Sequence, residues 1–193
     1  SLVKAGQWTD SVEVNEERIL RTVTRKNLGG EVDMVRAVAA HGRSLAPLYL
    51  TQRFGEDLTG VYHSQGQDDQ LTQVLIADNK TPARIMSAQL PPDVVEVNLQ
   101  GIMAAALPLG AQQQITVAGY SGGETPAGAA LLFDVQGRET IALTGRTVSA
   151  WKVHQPQSNW TYWVSKEFPY LLKVSHPSPD GGTLVSLLVR YRD

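Results

Sequence analysis

Hydrophobic and polar residues alternate with a period of two, in short runs bounded by turn residues, along nearly the whole chain. That pattern restricts the chain to strands. Glu17 to Arg25, then Asn27-Leu28-Gly29-Gly30, then Glu31 to Ala39 predict a hairpin with a connection of four or five residues. Leu48 to Phe54 reads as a strand with Leu48, Leu50 and Phe54 on one face. Val61 to Ser64 ends in the polar tip Gln65 to Asp69. Leu71 to Ala77 and Ala83 to Ala88 flank the turn Asp78-Asn79-Lys80, and Val94 to Val97 follows Pro91-Pro92. The second half continues with 114–118, 129–135, 139–144, 148–153, 160–164, 170–175 and 184–191, broken at Gln136-Gly137 and Thr144-Gly145. About eleven to thirteen strands result, spaced by roughly 8–12 residues.

One stretch argues for a helix. Asn98 to Leu107 holds Ile102, Met103 and three alanines, then stops at Pro108. Parallel α/β folds need a crossover helix after nearly every strand, and those are missing. The expected fold is therefore mostly β. It is an antiparallel meander forming an open or closed barrel, with one short helix near 98–107. A single β-barrel-like domain over 1–193 is the expectation.

Composition narrows the function classes. Of 193 residues 42% are hydrophobic, enough to build a core, and there is no cysteine to staple it. Thiol catalysis and thiolate metal sites are excluded. Seventeen Lys and Arg against nineteen Asp and Glu give a net charge of −2, without the clustered positive charge of a nucleic-acid binder. No apolar run approaches the roughly 20 residues of a membrane-spanning helix. The sequence opens on Ser1 rather than Met, as expected of a processed or trimmed product. A removed export signal would look like this, and so would a cloning boundary.

Gly119-Tyr120-Ser121-Gly122-Gly123 matches G-x-S-x-G, the serine-hydrolase nucleophile elbow. The elbow needs a strand-to-helix turn, but Glu124-Thr125-Pro126-Ala127-Gly128 and another strand follow. A glycine-rich loop between strands is the expected reading. The hydrolase alternative would use Ser121 with Asp134 and either His154 or His176. The histidines His41, His63, His154 and His176 show no metal-ligand spacing. Asp68-Asp69 lacks the Gly and terminal Glu of a calcium loop. No phosphate-binding glycine loop opens a helix. No metal and no cofactor are therefore expected. Three tryptophans fall between Trp151 and Trp163, with Trp160 and Tyr162 on one strand face and Trp163 on the other. Such a cluster reads as core plus a half-exposed sheet, or else as the lining of a ligand cavity.

The first hairpin carries the candidate site. With Leu28-Gly29 at its centre, Ile19 faces Val38, Val23 faces Met34, and Arg21 faces Arg36, all six on one face. Two arginines directly opposite each other on an apolar face repel. Burying either charge without a partner costs several kcal/mol (~). A nearby acid such as Glu17, a face open to water, or an anionic ligand group would offset this.

The strands Ser149-Ala150-Trp151-Lys152-Val153, Tyr162-Trp163-Val164-Ser165-Lys166-Glu167 and Pro169-Tyr170-Leu171-Leu172-Lys173-Val174 resemble the C-terminal part of a bacterial envelope family, domain of unknown function 3108. Leu107-Pro108-Leu109-Gly110 and Asp10 to Arg25 fit the same pattern, so the resemblance runs from Asp10 to the end. That family is similar in shape to the lipoprotein-carrier proteins of the periplasm. Those have a curved antiparallel sheet that holds acyl chains in an apolar concavity closed by helices. The resemblance implies a periplasmic or otherwise exported protein with a hydrophobic ligand, and no catalytic residues. The leading expectation is a non-enzymatic envelope protein. It binds a hydrophobic or anionic amphipathic ligand through Arg21, Arg36, Ile19, Val23, Met34 and Val38, or binds an envelope partner. The competing readings are a serine hydrolase using Ser121 and a structural interaction module with a filled core.

Overall fold

The computed structural model describes residues 6–55, 57–65, 70–75, 84–110, 113–120, 128–178 and 180–189. The chain forms two compact units, residues 1–98 with 118–129, and residues 99–117 with 130–193.

The first unit is built on a seven-stranded antiparallel meander in chain order. Its strands are β1 (Gln7–Val14), β2 (Arg18–Lys26), β3 (Val32–His41), β4 (Pro47–Phe54), β5 (Asp57–Gln65), β6 (Gln70–Leu75) and β7 (Arg84–Gln89). Each strand pairs with its sequence neighbour, as alternating runs joined by short turns require. The two-residue β8 (Val95–Glu96) then pairs parallel with the end of β9 (Gln113–Tyr120), Val95 beside Gly119 and Glu96 beside Tyr120. That parallel pair departs from a wholly antiparallel meander.

The second unit continues with β10 (Ala129–Leu143), β11 (Arg146–Gln155), β12 (Trp160–Val164), β13 (Leu171–Pro177) and β14 (Thr183–Leu187). Its sheet curls into a half-barrel, and its strands from β10 onward pair antiparallel. The expected break at Gln136-Gly137 is instead a β-bulge inside one fifteen-residue strand, where Gly137 takes φ of 101°. The described residues hold fourteen strands, more than the eleven to thirteen expected. One addition is β1, an edge strand almost wholly exposed, whose Gln7, Thr9, Asp10, Ser11 and Glu13 blur its alternation.

The expected helix is present as a single 3₁₀ turn, Val97–Leu99, followed by α1 (Gly101–Ala106). Ile102, Met103, Ala104 and Ala105 are buried, and α1 lies against β12 and β13. A Cβ added at Gly101 would sit 2.5 Å from Leu171 Cβ, so this helix approaches β13 at a distance that glycine allows. Gly101→Ala is expected to destabilise the protein by about 1–3 kcal/mol through overpacking. Alanine's helix propensity argues the other way by about 1 kcal/mol. A urea melt in which the variant is the more stable would show that β13 yields.

The core of the second unit sits around Ile141, Leu143, Ala150, Trp163 and Leu172. Trp160 and Tyr162 do share a face, with ring centroids 5.9 Å apart, and His176 stacks on Trp160 at 4.3 Å. Trp163 is buried, with Lys173 Nζ 3.9 Å from its ring centroid. No helix is long and apolar enough to cross a membrane among the described residues.

Candidate functional site

The β2–β3 hairpin has the expected five-residue connection, Asn27 to Glu31. Asn27 N donates to Glu31 O, and Gly30 takes φ of 86°. Its register differs from the expected one. Ile19 pairs with Ala40, Arg21 with Val38, Val23 with Arg36 and Arg25 with Met34. The cause is local. The connection centres on Gly29 rather than on Leu28-Gly29, and a bulge between Arg25 and Lys26 absorbs a further residue. The resulting slip is two positions, and an even slip keeps every side chain on its face. Ile19, Arg21, Val23, Met34, Arg36 and Val38 therefore do share one face. Arg21 and Arg36, however, are diagonal neighbours and not directly opposed.

The four apolar residues of this face are buried. Arg21 is buried with them, 3% exposed, and is fully engaged. Its Nε donates to Asp10 Oδ1 at 2.9 Å, and its Nη2 to Asp10 Oδ2 at 2.6 Å. Its Nη1 donates to the Asn98 carbonyl at 2.8 Å. This is the bidentate fork that matches a carboxylate. The neutralising acid is Asp10 on β1. Glu17 lies exposed in the β1–β2 turn, its N–H bonded to Asn15 Oδ1.

Arg36 is placed differently. Its cross-strand partner on β4 is Gln52, whose Oε1 accepts from Nε at 2.6 Å. This is the one hydrogen bond of Arg36 among the described residues. Burial, and then the Arg21 charge, hold its guanidinium below the usual arginine range, while Glu96 acts in the opposite direction.

Glu96 completes the cluster. It is 0% exposed, and its N–H donates to Leu45 O at 2.8 Å. Its Oε1 accepts from Asn98 N at 2.7 Å and from Asn98 Nδ2 at 2.8 Å. Its Oε2 is buried without a hydrogen-bond partner. Burial pushes the carboxyl up to about 7, against the opposing pull of the Asn98 donors and Arg36. Its ladder partner Tyr120 is pushed up to about 12 by burial and by Glu96.

Sequence reasoning placed the two arginines and four apolar residues on one face and missed Asp10, Gln52, Glu96, Asn98 and Tyr120. A signal existed for Glu96, a single acid in the otherwise apolar run Val94-Val95-Glu96-Val97. Ser121 and the residues after it up to 127 lie outside the described residues. Of the other three hydrolase candidates, Asp134 and His154 are cross-strand partners, and His176 stacks on Trp160 with its Nδ1 2.9 Å from Pro177 O. His154 Nδ1 lies 3.1 Å from Thr161 Oγ1. Among the described residues no group of three His, Asp or Glu converges as a metal set.

A seven-stranded meander and a curled sheet with one short helix, carrying a buried arginine–carboxyl cluster, define a mostly-β protein. The chain belongs to the family described as protein of unknown function DUF3108, whose model matches residues 2–188. No curated protein and no solved structure gives a significant match.

Proposed function

We propose that the protein is a non-enzymatic binding protein of the bacterial envelope. Its ligand is amphipathic, an acyl chain with an acidic head, and it is taken on the buried face of the first unit. The observation that carries this reading is the unequal state of the two arginines. Arg21 is saturated by Asp10 and Asn98, whereas Arg36 has Gln52 on Nε and offers its two terminal nitrogens. A guanidinium presents parallel donors that fit a carboxylate or phosphate. Ile19, Val23, Met34 and Val38 around it suit the chain of such a ligand. Periplasmic or otherwise exported residence goes with this reading. It is supported by the likeness of the strands around Trp151 and Trp163 to envelope proteins.

The deep burial of the same four apolar residues favours a second reading, an interaction module whose core they fill themselves. Native mass spectrometry of protein from its own host, followed by calorimetry with laurate, separates the two. A retained acyl mass is expected. Arg36→Gln is expected to weaken laurate binding roughly 10- to 100-fold, since a hydrogen bond to a charged group is worth about 1.5–3 kcal/mol. No retained mass and no laurate binding would return the filled-core module. Labelling of Ser121 by a fluorophosphonate, abolished in Ser121→Ala, would instead make the protein a hydrolase.

A further inference from the structure

Oε2 of Glu96 is a buried polar atom that the pairings of the fold leave unexplained. Buried carboxyl oxygens in native proteins nearly always have a partner, and an exception points to a ligand, an ion or a functional role. The side chain has little freedom to find one. The Glu96 N–H is fixed to Leu45 O, the strand is paired with Tyr120, and Oε1 is held by two Asn98 donors. Asn98 ties this carboxyl to Arg21, the diagonal neighbour of Arg36, and the Arg36 charge acts on it as well.

We propose that Glu96, carrying a proton on Oε2, is the second anchor for the acidic head that Arg36 receives, so that the ligand carboxylate binds together with one proton. This rests on the binding reading above. In the bound state Arg36 donates to the ligand carboxylate, and Oε2–H of Glu96 donates to the same group. With Glu96 ionised, two carboxylates would face each other and repel.

The groups around Glu96 fit that assignment. Burial favours its protonated form, the two Asn98 donors and Arg36 favour the ionised one, and the balance stands at about 7. Tyr120, at about 12, stays neutral throughout the working range. Arg21 is held by Asp10, and Arg25, which acts on Arg36, is paired with Asp33 at 2.8 Å. Among the described residues, Glu96 is the member of this cluster that titrates near neutrality.

Laurate binding to the whole protein, measured by calorimetry from pH 6 to 9, tests the proposal. Wild-type affinity is expected to be level below about pH 7 and to fall toward tenfold per pH unit above it. At pH 8 the heats in two buffers of different ionisation enthalpy should show uptake of close to one proton. Glu96→Gln keeps the shape and offers an amide donor, so it should bind at pH 6 within a few-fold of wild type and show no slope. A flat wild-type profile with binding intact would overturn the proton anchor alone. The same slope in Glu96→Gln would also overturn it. Absence of laurate binding at every pH would overturn the binding reading and the anchor with it. Should Glu96→Gln fail to fold, the wild-type proton count decides, and a count of zero overturns the proposal.

Discussion

Asp10→Asn is expected to lower stability by about 3–5 kcal/mol, the cost of leaving a buried charge without its counter-ion. Arg21→Met is expected to cost less. The asymmetry follows from where the two partners sit. The Arg21 side chain is 4% exposed and that of Asp10 is 34% exposed. Without Arg21, Asp10 turns to water and is solvated. Without Asp10, the guanidinium remains on the apolar face, still bonded to the Asn98 carbonyl but without its counter-ion. Had Arg21 stood directly opposite Arg36, removing it would have relieved a repulsion and stabilised the protein. The observed register puts Val38 there instead. Urea melts of both variants at pH 7 settle the order. A larger loss for Arg21→Met would mean that its methylene packing, and not its charge, dominates.

Glu96→Gln is expected to stabilise the protein at pH 8 by about 3 kcal/mol and to have little effect near pH 4. The unfolded carboxyl titrates near 4.5 and the folded one at about 7. Below the lower value both states are protonated and Glu96 contributes nothing to the pH dependence. As pH rises through the window between them, the unfolded chain releases its proton while the folded chain retains it. Stability is therefore lost up to the folded value, by about 1.4 kcal/mol per unit of difference. Glutamine does not ionise, so the variant lacks this loss. Parallel melts of the two proteins from pH 4 to 8 should diverge through that window. Curves that stay parallel would place the folded carboxyl near its ordinary value, with the buried oxygen hydrated.

The strand-rich class, the single helix and the shared face of Arg21 and Arg36 were legible because each depends on sequence periodicity. Period two fixes the face, and an error of two residues in register leaves it intact. The partners of those arginines were not legible, because they depend on register and on distant pairing. Asp10 sits on an exposed edge strand with polar residues on both faces, so Gln7–Val14 gives almost no alternation. Glu96 lies in a strand of two residues, whose parallel partner is brought alongside by the fold and by nothing in the local pattern. The β10 bulge was likewise hidden. A Gly at a strand break and a Gly in a bulge look alike until the flanking residues are seen to stay paired.

The path of the chain between the two units bears on how the protein is made. Every pairing in the meander joins sequence neighbours, so β1 to β7 can assemble as they leave the ribosome, with the modest loop-closure cost of local contacts. Glu96 emerges next, but Tyr120 follows only after residues 99–117, which belong to the other unit. The parallel pair that flanks the buried carboxyl can thus form only after the strands of the meander have been made. During translation the nascent sheet already presents Arg21 and Arg36 while the strand beside Glu96 is still to come.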